Sequence, residues 1–112
     1  LFATKYLLNM SYFTYILYSE KFDEFYYGQT QNLDTRVFKH NAGYVKSTAR
    51  YAPWRLIAYK ESMTRSEAFL MERALKNCKS RGIVSEFIVR KKFVIIACLE
   101  VFGPENQNPP GS

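Results

Sequence analysis

The sequence predicts an α/β fold: a small, mainly antiparallel three-stranded sheet flanked by helices. Three observations predict it. Residues 12–19, 25–30 and 54–62 are short runs rich in aromatic and β-branched side chains, the composition of strands. Between and after them lie two helix-start signals, an asparagine at 32 and a T-x-x-E pattern at 64–67. The chain has 112 residues, 47% of them hydrophobic, which suits one packed domain and leaves little room for a second.

The elements follow in order. "YFTYILYS", residues 12–19, reads as the first strand, and "EKFDE" is a polar break that permits a tight reversal. "FYYGQT", residues 25–30, reads as the second strand and completes a hairpin. With Tyr18 opposite Asp23, Tyr15 falls opposite Tyr26, and facing residues of adjacent strands point to one side of a sheet. Asn32 is a helix cap, Asp34 lies in the first turn and Gly43 is the stop. Leu33 and Val37, four apart, are expected to face the core, with Arg36 and His40 on a different face. "YVKSTARYAP", residues 44–53, is a polar, basic loop, and "WRLIAYKES" alternates as a third strand.

Thr64 and Glu67 open the next helix, about residues 65–79, with Ala68, Met71, Leu75 and Cys78 as its core stripe. Glu72 sits at the edge of that stripe, where carboxylates are rare unless something pairs with them. Residues 83–92 are a candidate short helix ending in the basic run "RKK". The apolar run 93–102 fits a strand or a helix, and its length does not decide. "GPENQNPPGS" has the composition of a loose tail. The organisation expected is an N-terminal extension over 1–11, a domain over 12–92, and a C-terminal segment with tail over 93–112. Met10 is a candidate natural start.

The net charge is +6, and its distribution says more than its total. Residues 36–92 hold 14 basic and 4 acidic side chains, a local balance of +10, while the flanking segments are net acidic. That block sets up a positive field suited to a polyanion such as nucleic acid, although solubility alone is a second reason for such charge. Cys78 and Cys98 form no C-x-x-C pair and stand beside one histidine, which argues against structural zinc and suits a reducing cytoplasm. Charged or polar residues interrupt every apolar stretch before about 18 residues, so no membrane span is expected. The opening "LFATKYLLNM" lacks the basic leader and cleavage site of a secretory signal. A cytoplasmic location follows, with association to the nucleoid if the source is bacterial.

The order strand, strand, helix, strand, helix brings Tyr15, Tyr26, Arg36, His40 and Glu72 onto elements that can surround one site. Residues 12 to about 81 resemble the GIY-YIG nuclease family, especially its small single-domain members. The two naming tripeptides read Phe13-Thr14-Tyr15 and Tyr26-Tyr27-Gly28. The first keeps only its tyrosine, and the second keeps the outer tyrosine and the glycine. "GQTQNLDTRVFKHNAG" resembles the family's strand-to-helix passage with its arginine, "PWRLIAY" its third strand, and "SEAFLMERALK" the helix bearing its metal-binding glutamate.

The resemblance implies an endonuclease that hydrolyses phosphodiester bonds of DNA with one divalent cation, Mg²⁺ or Mn²⁺, in DNA repair or the processing of branched DNA. It implies Glu72 as the metal-binding carboxylate and Tyr15 as the general base. Tyr26 would hydrogen-bond the phosphate or water, Arg36 would grip a phosphate oxygen, and His40 would position the nucleophile or relay a proton. The chemistry is compatible. Mg²⁺ prefers oxygen and keeps several waters, so one carboxylate and a substrate phosphate can hold it. A free phenol, with pKa near 10, is only about 0.3% ionised at pH 7.5. Lowering that value by ~2.5 requires about 3.4 kcal/mol, for which Arg36, Lys46 and the metal are candidate sources. Gly28 would allow close approach of backbone or substrate. Lys46, Ser47, Thr48 and Arg50 are candidate contacts to the phosphate backbone. The family often places an asparagine well beyond the glutamate, and Asn77, only five residues after Glu72, is too close to take that role.

Each residue also has an ordinary reading: a packing strand tyrosine, a solvated helix arginine, a surface histidine, a salt-bridging glutamate. Taken together these give the alternative of a non-catalytic nucleic-acid-binding module on the same scaffold. A protein-interaction domain whose basic face meets an acidic partner is a third reading. With no room for a separate targeting domain, specificity would come from this surface or from a protein partner.

Overall fold

The computed structural model describes residues 11–96 and residue 101. The expected N-terminal extension up to residue 10, and nearly all of the C-terminal segment beyond 96, lie outside the described residues. Among the described residues, four strands and three helices follow in the order β1 (Tyr12–Ser19), β2 (Glu24–Thr30), α1 (Leu33–Asn41), β3 (Arg55–Ser62), α2 (Arg65–Lys76), α3 (Arg81–Arg90) and β4 (Val94–Ile95), with a 3₁₀ turn at Ala49–Tyr51. The sheet order is β2-β1-β3-β4 and every pairing is antiparallel.

The three-stranded expectation is therefore corrected to four. After α3 the chain reverses at Lys92, whose φ of 62° is left-handed. Phe93 N–H bonds to the Ile88 carbonyl at 2.9 Å, and the buried Phe93 ring anchors the turn. The apolar run then meets the open edge of β3, pairing Val94 with Tyr59 and Ile95 with Ala58. Only a free edge next to a reversal makes this run a strand, and periodicity could not reveal that.

Strand β1 is central and buried on both faces, so Thr14, Tyr15, Ile16 and Leu17 are all inaccessible. One face, through Ile16, Ile57 and Ala58, packs on Leu75 of α2 and Val84, Phe87 and Ile88 of α3. Each fully buried aliphatic there contributes about 1.5–3 kcal/mol. The other face, through Tyr15, Leu17 and Trp54, packs on Leu33 and Val37 of α1. Both capping signals act as expected. Asn32 accepts from Thr35 N–H at 3.0 Å and Thr64 from Glu67 N–H at 3.1 Å, worth typically about 1 kcal/mol apiece. Asn41, the last residue of α1, grips both backbone groups of Trp54, which ties the helix end to the start of β3.

The hairpin register differs from the expected one. Tyr18 faces Phe25 and Ser19 faces Glu24, so Tyr15 lies opposite Gly28. The loop keeps four residues but is displaced by one, to Glu20–Asp23. Asp23 adopts φ 55°, which an aspartate tolerates in a tight turn. Its carboxylate accepts from Tyr18 Oη and from Arg81 at 2.9 Å each, and its carbonyl accepts from Arg81 at 2.8 Å. The pairing thus shifts by two residues. A shift of two preserves the face, whereas a shift of one inverts it. Tyr15 and Tyr26 remain on one side as diagonal neighbours, with ring centroids 6.2 Å apart.

Candidate active site

The site is organised around one phenol. Tyr15 projects from β1 and lies over Gly28 of β2; a Cβ there would fall 2.6 Å from its hydroxyl and 2.7 Å from Cζ. Only glycine leaves room for the ring. The hydroxyl is 2.9 Å from His40 Nε2, and Arg36 Nε donates to it at 3.4 Å. The other histidine nitrogen, Nδ1, is 2.7 Å from Thr48 Oγ1. Tyr26 packs against His40, with ring centroids 4.8 Å apart and the planes tilted by 58°. Arg36 and His40 are one turn apart on α1 and reach the phenol together.

Glu72 stands elsewhere. Thr14 of β1 bonds the Ala68 carbonyl of α2, so α2 covers the face of the sheet that carries Thr14 and Gln29, opposite to Tyr15 and Gly28. Glu72 Oε1 accepts from Gln29 Nε2 at 3.2 Å, and Oε2 pairs with Lys76 at 2.7 Å. The phenol and the carboxylate flank edge strand β2 from its two sides. They are close enough that the Glu72 charge acts on the phenol.

A family model of the GIY-YIG catalytic domain matches residues 11–84, well over half of the chain. This chain belongs to the GIY-YIG family. The family is one of endonucleases that generally depend on a divalent metal, and membership gives the chain a nuclease-type function in general terms, with DNA as the implied substrate. The solution NMR structure of the UPF0213 protein BH0048 from Bacillus halodurans is similar over 90% of this chain and 100% of that one, at 26% identity and a TM-score of 0.46. No curated protein matches the chain significantly.

In this GIY-YIG chain, Tyr15, Tyr26, Arg36 and His40 converge, and Glu72 approaches from across β2. The expected separation of α1 into two faces does not hold. His40 is fully buried while Leu33 and Val37 are half-buried, because residues 33, 36, 37 and 40 form one arc turned to the sheet. A surface role for His40 is thereby excluded. Thr48 is also corrected. It is 2% exposed and turned inward to His40, not outward to a phosphate backbone. Lys46, Ser47 and Arg50 remain exposed on the loop, Arg50 lying over the Tyr51 ring. Asn77 caps the C-terminus of α2.

The electrostatics run against one expectation. The Tyr15 phenol is pushed up to about 12, not down, chiefly by burial; the Arg36 hydrogen bond opposes this, and the Tyr26 and Glu72 charges add to it. Burial, with a contribution from the Arg36 charge, lowers His40 to about 4, so its ring is neutral at pH 7. Arg36 is raised, first by its bond to Tyr15, and stays charged. Two functional features escaped sequence reasoning. Thr48 lies eight residues past His40 in a polar run with no helical spacing to link them. Gln29 carries no signal until α2 brings Glu72 to it.

Proposed function

We propose that this chain is a divalent-cation-dependent endonuclease that cleaves DNA, and that proton handling runs through Tyr15 and His40. The observation carrying this reading is the convergence of His40, Arg36 and Tyr26 on the one phenol, over a glycine that a side chain would displace.

With a pKa near 12, phenolate is present at about one part in 10⁵ at pH 7, so a pre-ionised base is disfavoured. A coupled transfer avoids it. Water attacks phosphorus; its proton passes to the Tyr15 oxygen as the Tyr15 proton passes to His40 Nε2. A new P–O bond forms, the bond to the leaving oxygen breaks, that oxygen departs as an alkoxide and takes a proton from solvent, and His40 ends as an imidazolium that later returns its proton to solvent. A histidine 2.9 Å away and neutral at working pH is placed to accept, and its lowered pKa makes it a weak base that holds the proton only transiently. Arg36 covers the phenol at 3.4 Å, the longer of its two contacts. Its guanidinium can leave the phenol for a phosphate oxygen, which admits water and stabilises developing charge. Tyr26 lines the approach.

Glu72 is the residue that would hold the cation. Among the described residues no three acidic, histidine or cysteine side chains cluster, so a cage of the zinc type does not fit. A single carboxylate at a strand edge, beside the unpaired Oε1 of Gln29, offers hard oxygen donors and leaves room for waters and a phosphate, which fits Mg²⁺ or Mn²⁺. A bound cation would neutralise phosphate charge and support the leaving oxygen. Lys46 and Arg50 would contact flanking phosphates. Branched or damaged DNA is the natural substrate class for such an open site, and a protein partner could supply targeting.

A second reading, the binding module, draws on one observation: both Glu72 oxygens are already held by Gln29 and Lys76. The deciding experiment is nicking of plasmid, single-stranded and branched DNA with Mg²⁺ or Mn²⁺, comparing the unmodified chain with Tyr15→Phe and Glu72→Ala. Cation-dependent nicking lost in both variants is expected. Binding without nicking by the unmodified chain would leave the binding module.

A further inference from the structure

The hydrogen bonds around His40 can be assigned by counting protons. Thr48 Oγ1 lies 2.7 Å from His40 Nδ1 and 3.3 Å from the Val45 carbonyl, which can only accept. His40 Nε2 lies 2.9 Å from the Tyr15 oxygen, which already accepts from Arg36. A neutral imidazole carries one proton, so two arrangements compete.

In the first, Thr48 O–H donates to Val45, His40 Nδ1–H donates to Thr48, Tyr15 O–H donates to Nε2, and Arg36 donates to Tyr15. Every proton has an acceptor. In the second, Thr48 O–H donates to Nδ1 and Nε2–H donates to Tyr15. The Tyr15 proton then has no acceptor among these groups, inside a site where the phenol is 1% exposed. A buried donor left unpaired loses its hydration with nothing in return, which rejects the second arrangement.

Thr48 is placed firmly. Its carbonyl accepts from the Trp54 indole at 2.9 Å and from Tyr51 N–H at 3.0 Å, and its N–H donates to Val45 at 3.1 Å. The geometry points to Thr48 as a positioning residue: with its own proton committed to Val45, it accepts from His40 Nδ1–H and stabilises the tautomer whose Nε2 accepts from Tyr15. This rests on the reading of His40 as the acceptor of the Tyr15 proton. The relay is then braced from behind by a buried hydroxyl.

The chain contains one histidine, so ¹⁵N-histidine NMR of the intact protein reads this site without assignment. At pH 7 the expected spectrum has a protonated Nδ1 and a pyridine-type Nε2. Thr48→Val, nearly isosteric and lacking the hydroxyl, removes the acceptor of Nδ1–H, so the Nδ1–H proton resonance is expected to move upfield and exchange faster with solvent. It should lower single-turnover nicking on the order of tenfold or more with KM within twofold. Thr48→Ser restores both readouts. An Nε2–H tautomer in the unmodified chain overturns the assignment whatever the variants do. So does a Thr48→Val protein whose Nδ1–H resonance and exchange are unchanged. If the Nδ1–H resonance responds as stated while no DNA is cut, the inference about Thr48 stands and the nuclease reading fails.

Discussion

On one side of β2, Tyr15 meets His40, Arg36 and, through His40, Thr48, groups drawn from three separate parts of the chain. On the other side, Glu72 meets Gln29 and its own helix neighbour Lys76. The first set is buried and interlocked, with no freedom to rearrange without breaking several contacts. The second is a carboxylate only 17% exposed, satisfied by a side-chain amide and an exposed ammonium, both replaceable. The difference teaches where preorganisation was needed. Moving a proton between neutral groups requires fixed donors and acceptors, whereas a cation arriving with its waters requires a carboxylate that can let go of its resting partners.

Four measurements break or sharpen this contrast. Glu72→Ala should lower cation-dependent nicking by at least ~10²–10³-fold while DNA retention on a filter is kept or improved; equal loss of retention would make Glu72 structural. The interlocked side should carry an acid sensitivity. His40 falls from its ordinary 6.5 to about 4 in the folded chain. Between those values the unfolded chain binds a proton that the folded chain does not, so stability declines as pH drops from 6.5 to 4 and this decline stops below 4. The full effect is about 3 kcal/mol. Urea midpoints against pH, with His40→Gln as the reference, check it, and identical slopes in both proteins would refute it.

Gly28→Ala puts a methyl 2.6 Å from the Tyr15 hydroxyl. Overpacking of this kind costs about 1–3 kcal/mol and should displace the phenol from His40. Unchanged melting temperature and nicking rate would show the ring to be less confined than its contacts imply. The smallest effect belongs to Lys76→Met. Losing an exposed helix pair changes stability by less than about 1 kcal/mol. It frees Glu72 Oε2, so calorimetric Mn²⁺ affinity should rise about two- to fivefold. Weaker Mn²⁺ binding would mean that Lys76 supports the carboxylate and does not compete for it.

Local chemistry made much of this legible beforehand. Asn32 and Thr64 announce the helix starts because a cap is a short-range hydrogen bond. Arg36 and His40 announce a shared face because the helix repeats every 3.6 residues. The parity of Tyr15 and Tyr26 was readable even though their register was not, since a displacement of two residues leaves both on the same side. What stayed hidden depends on approach in three dimensions. The inward turn of Thr48, the upward push on the Tyr15 pKa by burial, and the placement of Glu72 across the edge strand all follow from how α1, the 44–53 loop and α2 settle on the sheet. The short strand β4 was hidden for the same reason, because a free edge on β3 is not a property of residues 94 and 95.

Arg81, from the first turn of α3, holds both the carboxylate and the carbonyl of Asp23 at the hairpin tip, 58 residues earlier in the chain. That clasp fixes where the first reversal happens, and the reversal decides which residue of β2 lies beneath the Tyr15 ring. Chain shortened before residue 81 would keep every member of the reaction centre and lose the brace that aligns them. The far helix works as the alignment pin of a hinge whose moving leaves both lie near the other end of the sequence.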